Sequence, residues 1–302
     1  MKRNLKAFSL IELSIVILII GVLITGVTQG STLIKKANLS RAKDLTIRSE
    51  VGSIKNLAVW LETSLPDSVT VDSSSKVTKW NDINPNRPGG VNAVPTNSST
   101  APAYLTEMIN GLPVISFTGS SSQFLWWGTT NGDGLKLLVK SNYTIFVVEK
   151  RAITGNNTFI GGSSSNEYSN MHLGYRENTV MTHDRYFDGV DCTVASFGAS
   201  NRAPAIHTFL FTSSTVTLAS GGTVIGSGYL MNGGDKASCY DSSKVNALVD
   251  YPGATIGSLG GTAYYTGNIA EIIIYTRYLK ASERGAVESY LSKKYAIPVK
   301  PA

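Results

Sequence analysis

The residue types that most often carry out chemistry are scattered in this chain. Its three histidines and two cysteines show no zinc-ligand spacing, and no nucleophile-elbow motif marks a reactive serine. Two other groups of residues could bind a ligand. Asn and Asp in Gly-containing turns could supply oxygen ligands for calcium, and adjacent tryptophans could stack on a ring. These candidates are Asn131, Asp133, Asp188, Asp191, Trp126 and Trp127.

Each of these candidates also has a purely structural interpretation. Asn and Asp favour turns because their side chains bond to nearby backbone, so the four oxygen-bearing residues leave calcium open and predict no firm metal site. Neighbouring residues on a strand point to opposite faces, so we expect one of Trp126 and Trp127 to be exposed. No cofactor is expected.

The positive charge lies at one end of the chain. The net charge is +6, and residues 1–60 hold nine Lys or Arg against three Asp or Glu, which accounts for all of it. The remaining residues are balanced, whereas a nucleic-acid-binding domain carries a basic patch on its folded surface. The charge distribution therefore argues against nucleic acid as a partner.

The elements that must position these residues begin with an apolar helix. "FSLIELSIVILIIGVLITG" starts at Phe8, and no charge occurs from Leu13 to Ile34, which matches the roughly 20 residues that span a bilayer. The sequence that follows continues an amphipathic pattern at steps of three and four. We expect a membrane span over about 8–34 and a helical stem over 35–56. Glu12 is unexplained by a plain anchor, because a mid-membrane carboxylate costs roughly 3 kcal/mol.

"MKRNLKA" followed by this apolar run resembles the N-terminus of type IV pilins and pseudopilins. The resemblance implies a leader at 1–7, cleavage between Ala7 and Phe8 by a prepilin peptidase, and methylation of the new Phe8 amine. Ala7 departs from the family, which prefers Gly before the cut. The implied partners are other pilins, the assembly machinery and, before assembly, the inner membrane.

In this interpretation the charge of Glu12 sets subunit register. A buried carboxylate is costly alone but tolerable beside a cation, so Glu12 of one subunit would meet the Phe8 amine of its neighbour. Gly21 and Gly26 lie in the same helix, where glycine is unfavourable. Two explanations stay open for them: close helix packing, or local unwinding on assembly.

From residue 57 to 302 the pattern changes to short strands rich in Val, Ile, Thr, Tyr and Phe, separated by turns such as "LMNGGD". Many short strands with turn signals are typical of an antiparallel β-sandwich. Near the end one helical face closes the domain, before Pro298. It contains Val287, Tyr290, Leu291 and Tyr295.

Three segments of this region are similar to the concanavalin A-like lectin/glucanase superfamily, in its laminin G-like branch. They are "AVWLETSLPDSVTVDSSSKVTKWND", "APAYLTEMINGLPVISFTGSSSQFL" and "GNIAEIIIYTRYLKASERGAVESYLSKKYAI". The resemblance implies a jelly-roll sandwich closed by a C-terminal helix, with Trp60 and Trp80 at core positions. Lys280 stands where the family caps that helix with Ser, although Glu283 could supply half of a capping box.

The same resemblance argues against catalysis. Glucanases of this fold carry a Glu-x-Asp-x-x-Glu pattern, which does not occur in this sequence, and Glu271 in the closing strand is interpreted as structural. The sequence therefore predicts a non-enzymatic head. The loops "SSSQFLWWGTTNGDG" and "HDRYFDGVDC" offer aromatic and Asn or Asp side chains for binding a surface glycan.

Together these patterns predict a type IV pilin-like filament subunit with a lectin-like, adhesive or surface-binding head. The alternatives are a singly anchored glycan-binding protein of the inner membrane and a secretion-system pseudopilin. The head is expected outside the cytoplasm, in the periplasm or on an extracellular filament. Because that compartment is oxidising, Cys192 and Cys239 are expected to form a disulfide.

Overall fold

The computed structural model describes residues 9–128, 134–193, 203–217, 222–250 and 253–301. A long N-terminal helix leads into two antiparallel β-sheets, and a short helix follows them. This confirms the predicted fold class. Four predicted functional residues lie outside the described ranges: Ala7, Phe8, Asn131 and Asp133.

Helix α1 (Leu10–Ile47) begins with a capping box. Ser9 Oγ accepts a hydrogen bond from the amide of Ile11 at 3.3 Å, and the Ser9 amide donates to Glu12 Oε2 at 2.9 Å. The box satisfies amides that have no partner at a helix start. The helix continues without a break through Gly21, and its apolar part is long enough to cross a membrane and is not buried against the head.

The helical stem is shorter than predicted, because α1 ends at Ile47. Ser49 leaves the helical conformation, its hydroxyl donates to the Thr46 carbonyl at 2.9 Å, and a 3-10 turn follows at Glu50–Gly52. Val51 and Ile54 are nevertheless buried, whereas Ile47 is 72% exposed. The apolar residues beyond residue 47 therefore pack on the head from a turn and not from a helix.

Sheet A, the first of the two sheets, has eight strands within the described residues. Their spatial order is β15 (Ala237–Asp241), β14 (Thr223–Met231), β13 (Ala205–Thr217), β8 (Tyr143–Arg151), β17 (Gly267–Tyr275), β6 (Leu112–Phe117) and β5 (Ala103–Ile109), with β1 (Leu57–Glu62) also paired to β17. Strand β17 is buried along its whole length, as expected of a central strand with both faces covered.

Sheet B has nine strands within the described residues. In spatial order they are β12 (Gly189–Thr193), β11 (Val180–Asp184), β10 (His172–Tyr175), β9 (Asn157–Gly161), β16 (Thr255–Ile256), β7 (Leu125–Trp127), β4 (Ala93–Val94), β3 (Val77–Trp80) and β2 (Val69–Val71). Its inner face packs against sheet A around a large apolar core that includes Trp80 and Trp127.

Both open sides of the sandwich are linked. On one side the predicted disulfide joins Cys192 in β12 to Cys239 in β15. On the other side backbone hydrogen bonds connect the β2–β3 turn to the start of β5, from Val77 to Pro102 and from Tyr104 to Ser75, each at 2.9 Å. These links fix the two sheets relative to each other.

Helix α2 (Ala281–Tyr295) covers the outer face of sheet A. The four residues of the predicted face are buried, which confirms that prediction. Glu283 also acts as expected, because its Oε2 accepts from the Lys280 amide at 3.1 Å. Arg277 donates to the same carboxylate and holds it in place.

A fully buried ion cluster attaches α2 to sheet A. Lys294 Nζ lies 3.0 Å from Glu62 Oε2 and 2.8 Å from Glu271 Oε2, with all three side chains inaccessible to solvent. Burial alone would lower the pKa of Lys294, but the carboxylates of Glu271 and Glu62 raise it above its usual value. Burial would raise the pKa of Glu62, yet Lys294 and nearby donors hold it below its usual range. Both shifts favour the charged forms of Lys294 and Glu62.

The cluster also reaches the stem. Tyr290 donates to Glu271 Oε1 at 2.8 Å, and its oxygen lies 3.1 Å from Thr46 Oγ1 near the end of α1. Trp60 Nε1 donates to the same Glu271 oxygen at 2.7 Å. Stem, closing helix and sheet A thus share one buried polar network.

Replacing Lys294 with Met should strongly destabilise the head, because two carboxylates would stay buried without a cation. Losing one partner of a buried ion pair costs about 3–5 kcal/mol. Urea unfolding of the detergent-solubilised chain, followed by tryptophan fluorescence, measures the effect. Lys236→Met is the matched control, since its pair with Asp235 is exposed and should contribute less than about 1 kcal/mol. Equal unfolding free energies for the two variants would contradict this account.

Candidate functional site

The outer face of sheet B carries a cavity of about 470 Å³ at the β10–β12 end. Leu173, Met181 and Cys192 point into the core between the sheets. Side chains alternate along a strand. His172, Asp184 and Asp191 are each an odd number of positions from one of these residues, so they face outward. All three line the cavity.

An ion-pair cluster spans one wall of this cavity. Arg176, in the turn after β10, places Nη1 at 2.5 Å from Asp191 Oδ2 and Nη2 at 3.9 Å from Asp184 Oδ2. The arginine and Asp191 are partly exposed, whereas Asp184 is mostly buried. The guanidinium is therefore engaged by two carboxylates while remaining within reach of a ligand.

Burial shapes the protonation of the cavity floor. Burial raises the pKa of Asp184, although Arg176 and Arg185 partly oppose the shift. Its Oδ1 is buried and has no hydrogen-bond partner among the described residues. Burial and the nearby Arg176 lower the pKa of His172 to about 4, so this imidazole, 3.1 Å from Thr158 Oγ1, is neutral at pH 7.

The β11–β12 hairpin forms an aromatic rim. Tyr186 and Phe187 occupy the tip with φ angles of 56° and 70°, a left-handed conformation that costs a bulky residue roughly 1–2 kcal/mol. Their rings are in edge contact at 4.4 Å, and Phe187 is 69% exposed. Backbone strain of this kind concentrates at functional sites. The hairpin thus fixes an exposed aromatic ring at the cavity mouth.

A buried arginine holds the strained tip in place. Arg185 donates to the carbonyls of Asn246 and Lys244 and to Asp188 Oδ2, at 2.6, 3.1 and 3.0 Å. Its guanidinium also lies 4.0 Å from the centre of the Phe211 ring. These contacts join the hairpin to the segment after β15 and offset the strain in the turn.

The predicted binding residues that the structure describes do not come together. Asp191 lines the cavity, but Asp188 is buried and accepts bonds from Arg185 and from the Asn246 amide. Trp127 is buried and donates Nε1 to the Val91 carbonyl at 3.1 Å. Trp126 is half-buried in β7, five strands from β12, or roughly 24 Å at the usual strand spacing. The binding roles of these residues stay predictions.

Trp126 belongs to a second aromatic group. Its ring packs edge-on against Phe124 at 5.4 Å, and Phe124 in turn lies 6.2 Å from Tyr264. All three are half-buried. The two adjacent tryptophans differ in burial, with Trp127 in the core, but Trp126 is half-buried and not exposed as expected.

Residues not singled out from the sequence make most of the cavity. Arg176, Asp184, Tyr186, Phe187 and His172 line it, and three of them lie inside the loop segment "HDRYFDGVDC" that the sequence marks for binding. The signal available was the Tyr-Phe pair in a short hairpin turn. Arg176 carries no such signal, because its role depends on strand register.

The described residues contain no group of three or more His, Cys, Asp or Glu side chains arranged to hold a metal ion. Asp188 and Asp191 are each engaged by an arginine. Another acidic residue, Glu149, lies between the sheets, bonded to Tyr175 at 2.8 Å and 2.9 Å from His207 Nε2. Its burial separates it from the cavity.

Comparison with known families identifies the N-terminus. Residues 2–28 match the prokaryotic N-terminal methylation motif, which confirms the resemblance to type IV pilins over that segment. No curated protein matches the chain significantly.

Several solved structures resemble the head region distantly. Domain 4 of AbnA, a GH43 extracellular arabinanase from Geobacillus stearothermophilus, is 15% identical, with a TM-score of 0.49 over 80% of this chain and 98% of that one. Trypanosoma rangeli sialidase is 14% identical, with a TM-score of 0.43 over 87% of this chain but only 39% of its own. The CBM40 of Ruminococcus gnavus IT-sialidase is 12% identical, with a TM-score of 0.37 over 50% of this chain and 84% of that one. Similarities this distant assign neither ligand nor activity to the chain.

Because the hairpin tip is strained, glycine at position 187 should destabilise the head less than alanine does, which is the reverse of the usual order. Phe187→Gly should be more stable than Phe187→Ala by about 1 kcal/mol, because only glycine adopts a left-handed φ without strain. Urea unfolding of both variants measures the difference. At Ile153, exposed and without a positive φ, the order should reverse, since glycine has the larger unfolded-state entropy. A Phe187→Ala variant as stable as Phe187→Gly would show that the turn is unstrained.

Proposed function

We propose that this chain is a type IV pilin-like filament subunit, assembled through α1, that carries a glycan-binding head. The methylation motif at residues 2–28 is the observation that supports assembly. In this proposal a prepilin peptidase cleaves between Ala7 and Phe8, leaving domains at 8–56 and 57–302. The subunit waits in the inner membrane with its head outside the cytoplasm, and then enters a filament with other pilins.

Glu12 is proposed as the residue that sets subunit register, by pairing with the Phe8 amine of a neighbour. The same carboxylate has a local partner, because it accepts the Ser9 amide in the capping box. A glutamine can also close a capping box, but it cannot neutralise an ammonium. The two roles of Glu12 can therefore be separated by substitution.

Both Glu12→Gln and Glu12→Ala should insert into the membrane and assemble poorly, if charge pairing directs assembly. Counting sheared surface filaments by electron microscopy, with immunoblots of membrane fractions for insertion, measures both effects. Ser9→Ala is the matched control, since it removes the capping hydroxyl and keeps the charge. Normal filament numbers for Glu12→Gln alongside few for Glu12→Ala would assign Glu12 to helix capping only.

The head is proposed to bind a glycan through the cavity on sheet B. The cavity combines charged groups with an exposed aromatic rim, the side-chain types that bind sugars. The stem and α2 pack on the outer face of sheet A, so the cavity lies on the opposite face of the sandwich. A subunit attached through its stem could therefore present the cavity outward, as an adhesive filament requires.

Binding without hydrolysis is proposed. The two carboxylates in the cavity share Arg176, an arrangement that suits hydrogen bonding to a ligand. An acid–base pair would instead need one protonated carboxyl and one free carboxylate. The raised pKa of Asp184 makes glycoside hydrolysis the alternative to exclude.

Full-length protein displayed on fluorescent liposomes should bind a subset of spots on a glycan array. Display of many copies matters, because multivalency can raise apparent affinity by roughly 10²–10⁴. Phe187→Ala should reduce binding at least tenfold, whereas Ile153→Ala, also exposed, should not. No binding to any glycan would overturn the proposed role of the head. Release of sugar from bound spots would show an enzyme instead.

A further inference from the structure

We propose that the cavity selects uncharged, hydroxyl-rich sugars and rejects acidic ones, with Arg176, Asp184 and Asp191 binding hydroxyls and Phe187 packing against the sugar's apolar face. This inference rests on the proposed glycan-binding function of the head. It adds the chemical class of the ligand and the residues that determine it.

The charge of the cavity disfavours an acidic sugar. Its cations are Arg176 and Lys244, and its anions are Asp184 and Asp191, so the charges balance. A sugar carboxylate is bound best by an arginine whose paired N–H groups are open, but Arg176 already faces two carboxylates at 2.5 and 3.9 Å. An acidic sugar bound at Arg176 would have to displace Asp191 or lie beside both anions.

The same cluster suits a hydroxyl. A hydroxyl group donates one hydrogen bond and accepts others, so it can donate to an aspartate and accept from the arginine beside it. Asp184 lines the cavity with a side chain that is 16% exposed. Its Oδ1 is buried, so the accessible part of the carboxylate is the part that can accept from a ligand hydroxyl.

The rim supplies the apolar contact. The C–H face of a sugar ring packs on aromatic side chains, and Phe187 presents a ring that is 69% exposed at the cavity mouth. Arg185 and the left-handed turn fix the backbone that carries this ring before the ligand arrives, and the ring itself packs edge-on against Tyr186. A rigid contact loses less entropy on binding than a mobile one.

The balance of charge in the cavity also predicts which substitution should shift its preference from neutral sugars toward acidic ones. Asp191→Asn removes one anion and leaves Arg176 with a distant partner only, so the variant should gain binding to acidic sugars. The variant should also lose affinity for neutral sugars, because the amide that replaces the Asp191 carboxylate is uncharged and no longer holds the Arg176 guanidinium by charge. Asp184→Asn should weaken neutral binding, since an uncharged amide accepts a hydroxyl's hydrogen bond less strongly than a carboxylate does.

The test compares neutral oligosaccharides with matched sialylated or uronic acid-containing ones, using full-length protein on liposomes. Wild type should bind neutral members at least tenfold more tightly. Asp191→Asn should reduce that ratio at least fivefold, while Asp235→Asn, an exposed control that does not line the cavity, should leave it unchanged.

The possible results separate this inference from the function it rests on. Equal or tighter binding of acidic sugars by wild type, or a neutral preference that Asp191→Asn leaves unchanged, would overturn the inference and keep glycan binding. Failure of wild type to bind either class would overturn the proposed head function itself.

Discussion

The ammonium of Lys294 holds together three parts of the chain that are distant in sequence. It bonds to Glu62 in the first strand and Glu271 in the last, while Tyr290 extends the network to Thr46 in the stem. Moving these charges out of water is costly, and only their mutual attraction and several added hydrogen bonds compensate. The position of the closing helix, and with it the direction in which the stem leaves the head, depends on this arrangement.

One consequence is that the two faces of the sandwich have different roles. The outer face of sheet A is covered by α2 and the end of α1, which leaves the outer face of sheet B to carry the cavity. The disulfide between β12 and β15 lies next to that cavity, because Asp191 precedes Cys192. Arg185 then joins the hairpin tip to the segment after β15. The same links that close the sandwich therefore position the site.

Local sequence patterns predicted the helices and strands. The end of α1 and the composition of the cavity depend on long-range contacts, which local patterns do not show. The apolar helix, the strands, the buried face of α2 and the capping role of Glu283 follow from spacing and capping chemistry. The end of α1 at Ile47 does not, because Val51 and Ile54 keep a helical spacing while packing from a turn. Only part of the cavity could be predicted from the sequence. Its hairpin could be marked from composition, but the meeting of Arg176 with Asp191 depends on the pairing of three strands.

Glu12 shows how a local contact changes the energetics of the proposed assembly. If the carboxylate had no partner in the isolated subunit, any neighbouring cation would relieve a large penalty. In the structure it already accepts the Ser9 amide at 2.9 Å, so assembly would exchange or share a partner and would not rescue an isolated charge. In the proposed assembly, the free energy available to set register would then be the difference between an ion pair and a capping bond. That difference would recur at every subunit, so it would accumulate over a filament of many subunits.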